Sequence, residues 1–305
     1  MEKKKALPLN GSNTISFDKV EIISRKSTKI ISIKKINDLS SHTKKIVKRD
    51  IKLITKGKKN IKNLNFKNIP NIMGILNITP DSFSDGGKFN TYRKALKQIS
   101  NMIKSGADII DIGGESTRPG SKTIDPKVEW KRIEYILKDF KKKYKKTCLS
   151  IDTRKSDVMT KAIKFGADLV NDVSGFKHDP HALFKLKNYN IPKVIHHMQG
   201  TPNTMQKNPK YKNVLLDIYD FFEREILNMS DNKKIILDPG IGFGKTLKHN
   251  LTLISKISLF HSLGLPILIG TSRKRFINQI SGEYDSKDRT GGTIASVLYL
   301  LSQGV

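Results

Sequence analysis

A chain of 305 residues with 37% hydrophobic content can bury one large α/β core or two modest ones, and it has no run of 18 apolar residues to cross a membrane. Its formal net charge of +29 would suit nucleic acid or an anionic membrane, but the excess is mainly lysine spread among many Asn and Ile residues. That pattern reads as solvated surface, so neither partner is expected, although such a field attracts a multiply anionic substrate.

In chain order, the start Met1-Glu-Lys-Lys-Lys-Ala-Leu-Pro-Leu9 lacks the apolar stretch of a secretory signal, and cytoplasmic residence is expected. Residues 1–70 carry nineteen Lys/Arg against five Asp/Glu, with short β-like alternations such as Lys29–Lys34 and no glycine-rich loop. This part reads as a basic accessory segment, able to lie across the amino-terminal mouth of the unit that follows. From residue 71 to 305 a second unit begins, in which short apolar runs alternate with amphipathic helical stretches. Seven strands are predicted, at 72–78, 108–112, 148–152, 168–171, 193–198, 234–238 and 266–270. Each ends in Asn, Asp, His or Gly, and crossovers such as 125–146 and 211–229 read as helices. The single cysteine, Cys148, lies inside the third run and reads as a buried, inert thiol. Polar ends on nearly every strand are how an α/β chain of the (β/α)8 TIM barrel class presents its active face. A doubly wound sheet, whose ligand groups gather at one switch point, is the alternative.

The loops carry specific signatures: Gly74-Ile-Leu-Asn-Ile-Thr-Pro-Asp-Ser-Phe-Ser-Asp-Gly-Gly87, Gly113-Gly-Glu-Ser-Thr-Arg-Pro-Gly120, Ser150-Ile-Asp152, Asn171-Asp172, His197-Met-Gln-Gly200, Asp238-Pro-Gly-Ile-Gly-Phe-Gly-Lys245 and Ser272-Arg-Lys274. On these motifs, over residues 71–304, the chain resembles the dihydropteroate synthase family. The resemblance implies condensation of a dihydropterin bearing a CH2-pyrophosphate with 4-aminobenzoate, assisted by Mg2+, in a protein that is typically a homodimer.

Residue chemistry fits that reaction. A pterin's pyrimidine edge offers a 2-amino group and ring N–H donors, so a floor that selects it needs carboxylates and an oriented amide. Asp152, Asn171 and Asp238 supply those groups, whereas the plainer reading of an Asp after a strand is a helix N-cap, strongest for Asp172. The resemblance implies that Lys274, otherwise a solvated helix start, bonds the pterin's oxygen and ring-nitrogen edge. It implies Asn77 as the residue toward Mg2+ and pyrophosphate, although Asn before Thr-Pro also reads as a turn residue satisfying its own backbone. Thr117 and Arg118 would take the diphosphate end, and Asp85 would face the developing cation. Phe83, Pro119 and Phe243 would wall the aminobenzoate ring, with ordinary packing as the other reading of both phenylalanines. Ser272 and a nearby helix N-terminus would receive the carboxylate. Residues 79–90 and 115–124 read as lids over the reacting centre.

Other constellations fall away. Gly240–Thr246 resembles a P-loop, but Pro239 stands where the motif needs glycine. His196 and His197 are strand neighbours facing opposite ways and cannot share one metal ion. A pterin-dependent methyltransferase barrel would share the Asp/Asn/Asp floor but not the two long loops, and an inactive pterin-binding homologue would share both. The family continues beyond the equivalent of Gly304 with an eighth strand and a closing helix, so a sequence ending at Val305 is expected to be incomplete. The strand-like residues 28–36 are the other candidate to fill that gap.

Overall fold

The computed structural model describes residues 6–62, 64–66, 70–79, 88–117, 120–229, 234–282 and 285–305. The amino-terminal segment contains β1 (Leu7–Pro8), β2 (Ser16–Phe17), β3 (Lys19–Ile23), β4 (Thr28–Ser32) and α1 (Ser41–Thr55). Six parallel strands follow, each succeeded by helical chain: β5 (Met73–Asn77), β6 (Ile109–Gly113), β7 (Cys148–Asp152), β8 (Leu169–Asp172), β9 (Lys193–His196) and β10 (Ile235–Asp238). The helices are α2 (Lys88–Lys104), α3 (Pro126–Lys143), α4 (Ser156–Lys164), α5 (Ala182–Leu186), α6 (Val214–Asn228), α7 (Leu247–Ser255), α8 (Arg275–Ser281) and α9 (Thr290–Ser302).

Spatial order equals sequence order, from β5 to β10 without a break. A doubly wound sheet would reverse at a switch point, so this order is that of a (β/α)8 barrel wall. The seventh expected strand, 266–270, is reduced to one parallel bridge between Leu237 and Ile267. There Leu237 N–H donates to the Pro266 carbonyl at 2.9 Å and Leu268 N–H to the Leu237 carbonyl at 2.8 Å. Pro266 has no N–H to add to the ladder, which shortens the pairing.

Period-two alternation assigns the two faces of this wall. Outward residues Leu76, Ile110, Ile112, Leu149, Ile151, Val170, Ile195 and Leu237 pack with Ile133, Leu137, Phe140, Phe222 and Phe260 from the helical layer. Inward residues at the strand starts, Ile109, Cys148, Leu169, Val194 and Ile236, pack instead on Ile61, Leu64 and Phe66. The apolar lead-in therefore plugs the amino-terminal mouth, with Leu64 only 2% exposed. Cys148 belongs to this plugged layer, and burial pushes its thiol up to about 12, consistent with an inert role.

The strand-like residues 28–36 do not fill the wall. Thr28–Ser32 pairs antiparallel with Lys19–Ile23, and a 3-10 helix, Ile33–Asp38, follows. Ion pairs hold this hairpin against the helical layer: Arg25 bonds Asp217 at 2.8 Å and Asp220 at 2.5 Å, and Lys256 bonds Glu21 at 2.7 Å. Its apolar side has its own small core of Ile31, Ile36 and Val47, so its strands are satisfied without the barrel edge.

His261, in the 3-10 helix Ile257–Leu263, pins the first segment to the last. Asn10 Nδ2 donates to His261 Nδ1 at 3.1 Å and to the Gly304 carbonyl at 3.1 Å, while His261 Nε2 donates to the Gln303 carbonyl at 2.8 Å. Burial pushes this imidazole down to about 4, against 6.5 for an exposed one. The unfolded chain takes up a proton below pH 6.5 that the native chain refuses until about pH 4, so the contribution of His261 is present above pH 6.5 and is lost as pH falls through that window. Urea melts of wild type and His261→Gln should differ in slope by about 1.4 kcal/mol per pH unit between pH 6.5 and 4. Equal slopes would remove this pin.

Candidate active site

The register of the wall draws the polar strand ends together. Asn77 is level with Gly113, Gly113 with Asp152, and Asp152 with Asn171; Asp238 is level with His196. All are on the inward parity, above the plugged apolar layer. A Cβ on Gly113 would lie 3.3 Å from Asp152 Oδ2 and 3.4 Å from Asn77 Oδ1, so the absent side chain is what lets these two face one space.

Asn171 is buried, and its Nδ2 donates to Asp111 Oδ2 at 2.8 Å. That bond fixes the amide, so Asn171 Oδ1 is turned away as an acceptor. Asn171 Oδ1 and Asp152 Oδ1 are both buried and receive no hydrogen bond from the protein. Burial, with the nearby carboxylates of Asp111, Glu129, Asp172 and Glu115, holds the Asp152 carboxyl well above the usual range. Asp111 is raised as well, by burial, against the hydrogen bond from Asn171.

Across the mouth, Asp238 Oδ1 accepts from Gly240 N–H at 2.7 Å, and its Oδ2 lies 3.9 Å from His196 Nε2. His196 Nδ1 donates to the Val173 carbonyl at 2.8 Å, and burial pushes the ring down to about 4. Lys274 Nζ donates to the Ile241 carbonyl and lies 4.8 Å from the centre of the Phe243 ring. Burial lowers this ammonium to about 8, opposed by the charge of Asp238. Phe243 is half-buried, edge-on to His196 at 4.6 Å. Thr117 is half-buried in the loop after β6, and Asn77 and Ser272 are exposed at the mouth.

The structure thus gathers Asn77, Asp152, Asn171, Asp238, Lys274 and Phe243 at one end of the wall, with Thr117 and Ser272 on its rim. Phe83, Asp85, Arg118 and Pro119 lie outside the described residues. The expectation that Asp172 caps a helix is corrected: it accepts from Ser174 N–H and Oγ, and from Phe176 N–H, closing a turn, because no helix begins before Ala182. His196 and His197 do diverge, the latter ring packing on Phe221 at 4.9 Å. Among the described residues no three His, Cys, Asp or Glu side chains converge to hold a metal ion.

A family model described as pterin binding enzyme matches residues 73–305. The dihydropteroate synthase of Escherichia coli (strain K12) is 39% identical over 239 residues, covering 77% of this chain and 84% of that one. That of Bacillus subtilis (strain 168) is 40% identical over 241 residues, covering 79% and 83%. The chain belongs to the dihydropteroate synthase family. Among solved structures, the Yersinia pestis dihydropteroate synthase with a sulfonamide drug complex matches with a TM-score of 0.73 at 38% identity, covering 79% of this chain and 88% of that one. The Xanthomonas albilineans dihydropteroate synthase in complex with 7,8-dihydropteroate gives 0.70 at 31%, covering 79% and 87%.

Two groups of this dihydropteroate synthase family member escaped the sequence reading. Asp111 was visible only as part of a strand end; period-two alternation from Gly113 was the signal that it also faces inward. The second is a buried ion network beneath the loop at 115–124. Arg154 Nη2 bonds Glu115 Oε2 at 2.6 Å, and Lys155 Nζ bonds Glu115 Oε1 at 2.7 Å and Glu129 Oε2 at 2.5 Å. Glu115 Oε1 also accepts from Ile124 N–H at 3.0 Å, so one carboxylate ties both ends of the loop. Burial works to raise Glu115, yet the bonds from Lys155, Ile124 and Arg154 outweigh it and hold the carboxyl below its usual range. Lys155→Met should cost about 3–5 kcal/mol in urea unfolding, because Glu129 is left charged and unpaired. Lys155→Met with Glu129→Gln should recover much of that loss, and no recovery would contradict the pairing.

Proposed function

We propose that this chain condenses 6-hydroxymethyl-7,8-dihydropterin pyrophosphate with 4-aminobenzoate, giving 7,8-dihydropteroate and pyrophosphate, the reaction of a dihydropteroate synthase in folate biosynthesis. The observation that carries the reading is the pair of buried acceptors, Asp152 Oδ1 and Asn171 Oδ1, that the protein itself leaves without donors. Such atoms are costly to bury unless a ligand supplies the hydrogen bonds, and a pterin's 2-amino group and ring N–H are donors of the right kind. Asp238 and Lys274 meet the remaining edge, the ammonium facing the pterin's carbonyl oxygen and ring nitrogen. An ionised Asp152 is the better acceptor, so the ligand's donors work against the burial that raises its carboxyl.

Carbon–oxygen cleavage leaves charge on pyrophosphate and a methylene cation shared with the pterin ring. The aromatic amine attacks through its own lone pair, so no strong base is required. Phe243 fixes the ring of the amine, and Ser272 at the rim takes its carboxylate. Thr117 binds the departing diphosphate, joined by Arg118, while Asp85, Phe83 and Pro119 complete the closed site as the loop motifs imply. The donor set fits Mg2+: a single neutral oxygen, Asn77 Oδ1, beside the space shared with Asp152, suits a hard cation whose other ligands are water and phosphate. Asn77 would hold such an ion together with the substrate, and the ion would supply neutralisation of the pyrophosphate charge. Among the described residues no helix is long and apolar enough to cross a membrane. The exposed Ile294, Leu298 and Tyr299 on α9 support a homodimer.

Purified protein given the dihydropterin pyrophosphate, Mg2+ and 4-aminobenzoate should release pyrophosphate in step with dihydropteroate. Pterin binding without turnover would favour an inactive homologue. Asp152→Ala and Asp238→Ala should each weaken pterin binding by about 2–4 kcal/mol in calorimetry, because buried donors of the ligand lose their partner. Near-normal affinity in both would remove the assignment.

A further inference from the structure

The loop after β10, Pro239-Gly-Ile-Gly-Phe-Gly-Lys245, has an unusual accounting of its carbonyls. Gly240 O accepts from Phe243 N–H at 3.1 Å, Ile241 O from Lys274 Nζ, and Gly242 O from Gln206 Nε2 at 2.8 Å. Phe243 O accepts from Lys245 Nζ at 2.9 Å, and Gly244 O from the Tyr211 hydroxyl at 2.8 Å. Five successive carbonyls thus point to five different donors, four of them side chains. On the amide side, Gly242 N–H donates to Asn250 Oδ1 at 2.8 Å. The backbone lies directly on β9's end: Gly240 has φ 70°, and a Cβ there would fall 2.0 Å from the His197 carbonyl oxygen. Such a loop is held as a rigid template: Ile241 is buried in the core, and the half-buried Phe243 side chain faces the site.

Lys245 is the member whose placement costs most. It is 4% exposed, and its ammonium reaches only neutral acceptors: Phe243 O, His197 Nδ1 at 3.1 Å and His197 O at 3.3 Å. Burying an ammonium without a carboxylate bonded to it is unfavourable, and burial, opposed only in part by the charge of Asp238, drives its pKa well below that of a free lysine. A stem of the same length without charge would fill this space more cheaply, so packing alone does not account for the residue. The ammonium instead joins the carbonyl of the Phe243 residue to both the ring and the backbone of His197. It points into the protein, away from any space a phosphate could enter, which separates it from the lysine of a P-loop.

We propose that Lys245 is a positioning residue for the acceptor substrate: by tying the Phe243 carbonyl to His197, it sets the aromatic wall against which an arylamine ring stacks. This rests on the reading of the site as one that joins a pterin to an aromatic amine. Of the groups read as binding the pterin, Asp152 and Asn171 stand on other strands, β7 and β8, and have no bond to this strut, while Lys274 meets the loop at the Ile241 carbonyl and not at Lys245 or Phe243 O. Loss of the strut therefore separates the two substrates. The neutral Nε2–H form of His197 completes the arrangement, since its Nδ1 lone pair accepts a hydrogen bond from the Lys245 ammonium.

Lys245→Met keeps the stem and removes the ammonium. Steady-state kinetics should show KM for 4-aminobenzoate raised about tenfold with kcat changed less than about threefold, because misplacement of a binding wall acts on the ground state and transition state alike. Calorimetric affinity for 6-hydroxymethylpterin should stay within about threefold of wild type. Tyr211→Phe, which removes the donor to the next carbonyl and leaves the fold little changed, should move KM in the same direction by a smaller factor, and it decides the matter where Lys245→Met fails to fold. An unchanged KM for 4-aminobenzoate in a folded variant, or equal losses of pterin and aminobenzoate affinity, would overturn the proposal. A wild-type protein that binds no pterin would instead overturn the functional reading.

Discussion

Everything at this site follows from one constraint: in a wall of parallel strands, every second side chain must face the enclosed side, whatever its chemistry. Along β6, β7 and β8 the inward positions run from apolar at the strand start to acidic or amide at its end, Ile109 to Asp111, Cys148 to Asp152, and Leu169 to Asn171. The apolar layer is closed by the 61–66 plug. In the polar layer above it, Asp152 Oδ1 and Asn171 Oδ1 receive no donor from the chain, and that asymmetry defines which end of the wall meets a ligand.

Charge is handled in two ways within a small volume. Below the 115–124 loop, Glu115 and Glu129 face Arg154 and Lys155, two negative groups against two positive, and every charge has a partner. Asp111 and Asp152 are also buried, with no ion pair to a cation among the described residues; burial raises both, and the charge of Asp111 raises Asp152 further. Asp111 gives one oxygen to the Asn171 amide, and the acceptors Asp152 Oδ1 and Asn171 Oδ1 that remain without a donor are held for donors from outside. On the opposite rim, burial lowers both Lys274 and Lys245, and the charge of Asp238 opposes it in each.

Much of this was legible because strand ends announce themselves. The apolar runs at 72–78, 148–152 and 234–238 became β5, β7 and β10 within one residue at either end, and the inward parity of Asp152 and Asn171 follows from the last residue of each run. The strand at 266–270 was read as equal to the others, yet hydrogen bonding depends on a neighbour, and Pro266 and the single bridge to Leu237 leave it short. Asp172 misled because an Asp after a strand looks the same whether a helix or a tight turn follows. The amino-terminal segment was opaque for a different reason. Ile61, Leu64 and Phe66 have no periodicity of their own, and their meaning lies in the strand starts they cover. Lys245 carried a motif signal that pointed to phosphate, whereas its actual partners, His197 and Phe243, are set by tertiary placement.

The central claim is that buried acceptors of the protein are matched by donors of the ligand's pyrimidine edge. It is tested most directly by comparing, in calorimetry, the affinity for 6-hydroxymethylpterin with that for the analogue in which the 2-amino group is replaced by a carbonyl oxygen. The account predicts binding weaker by about a hundredfold or more for the oxo compound, since an acceptor then faces acceptors. Equal affinities would contradict it.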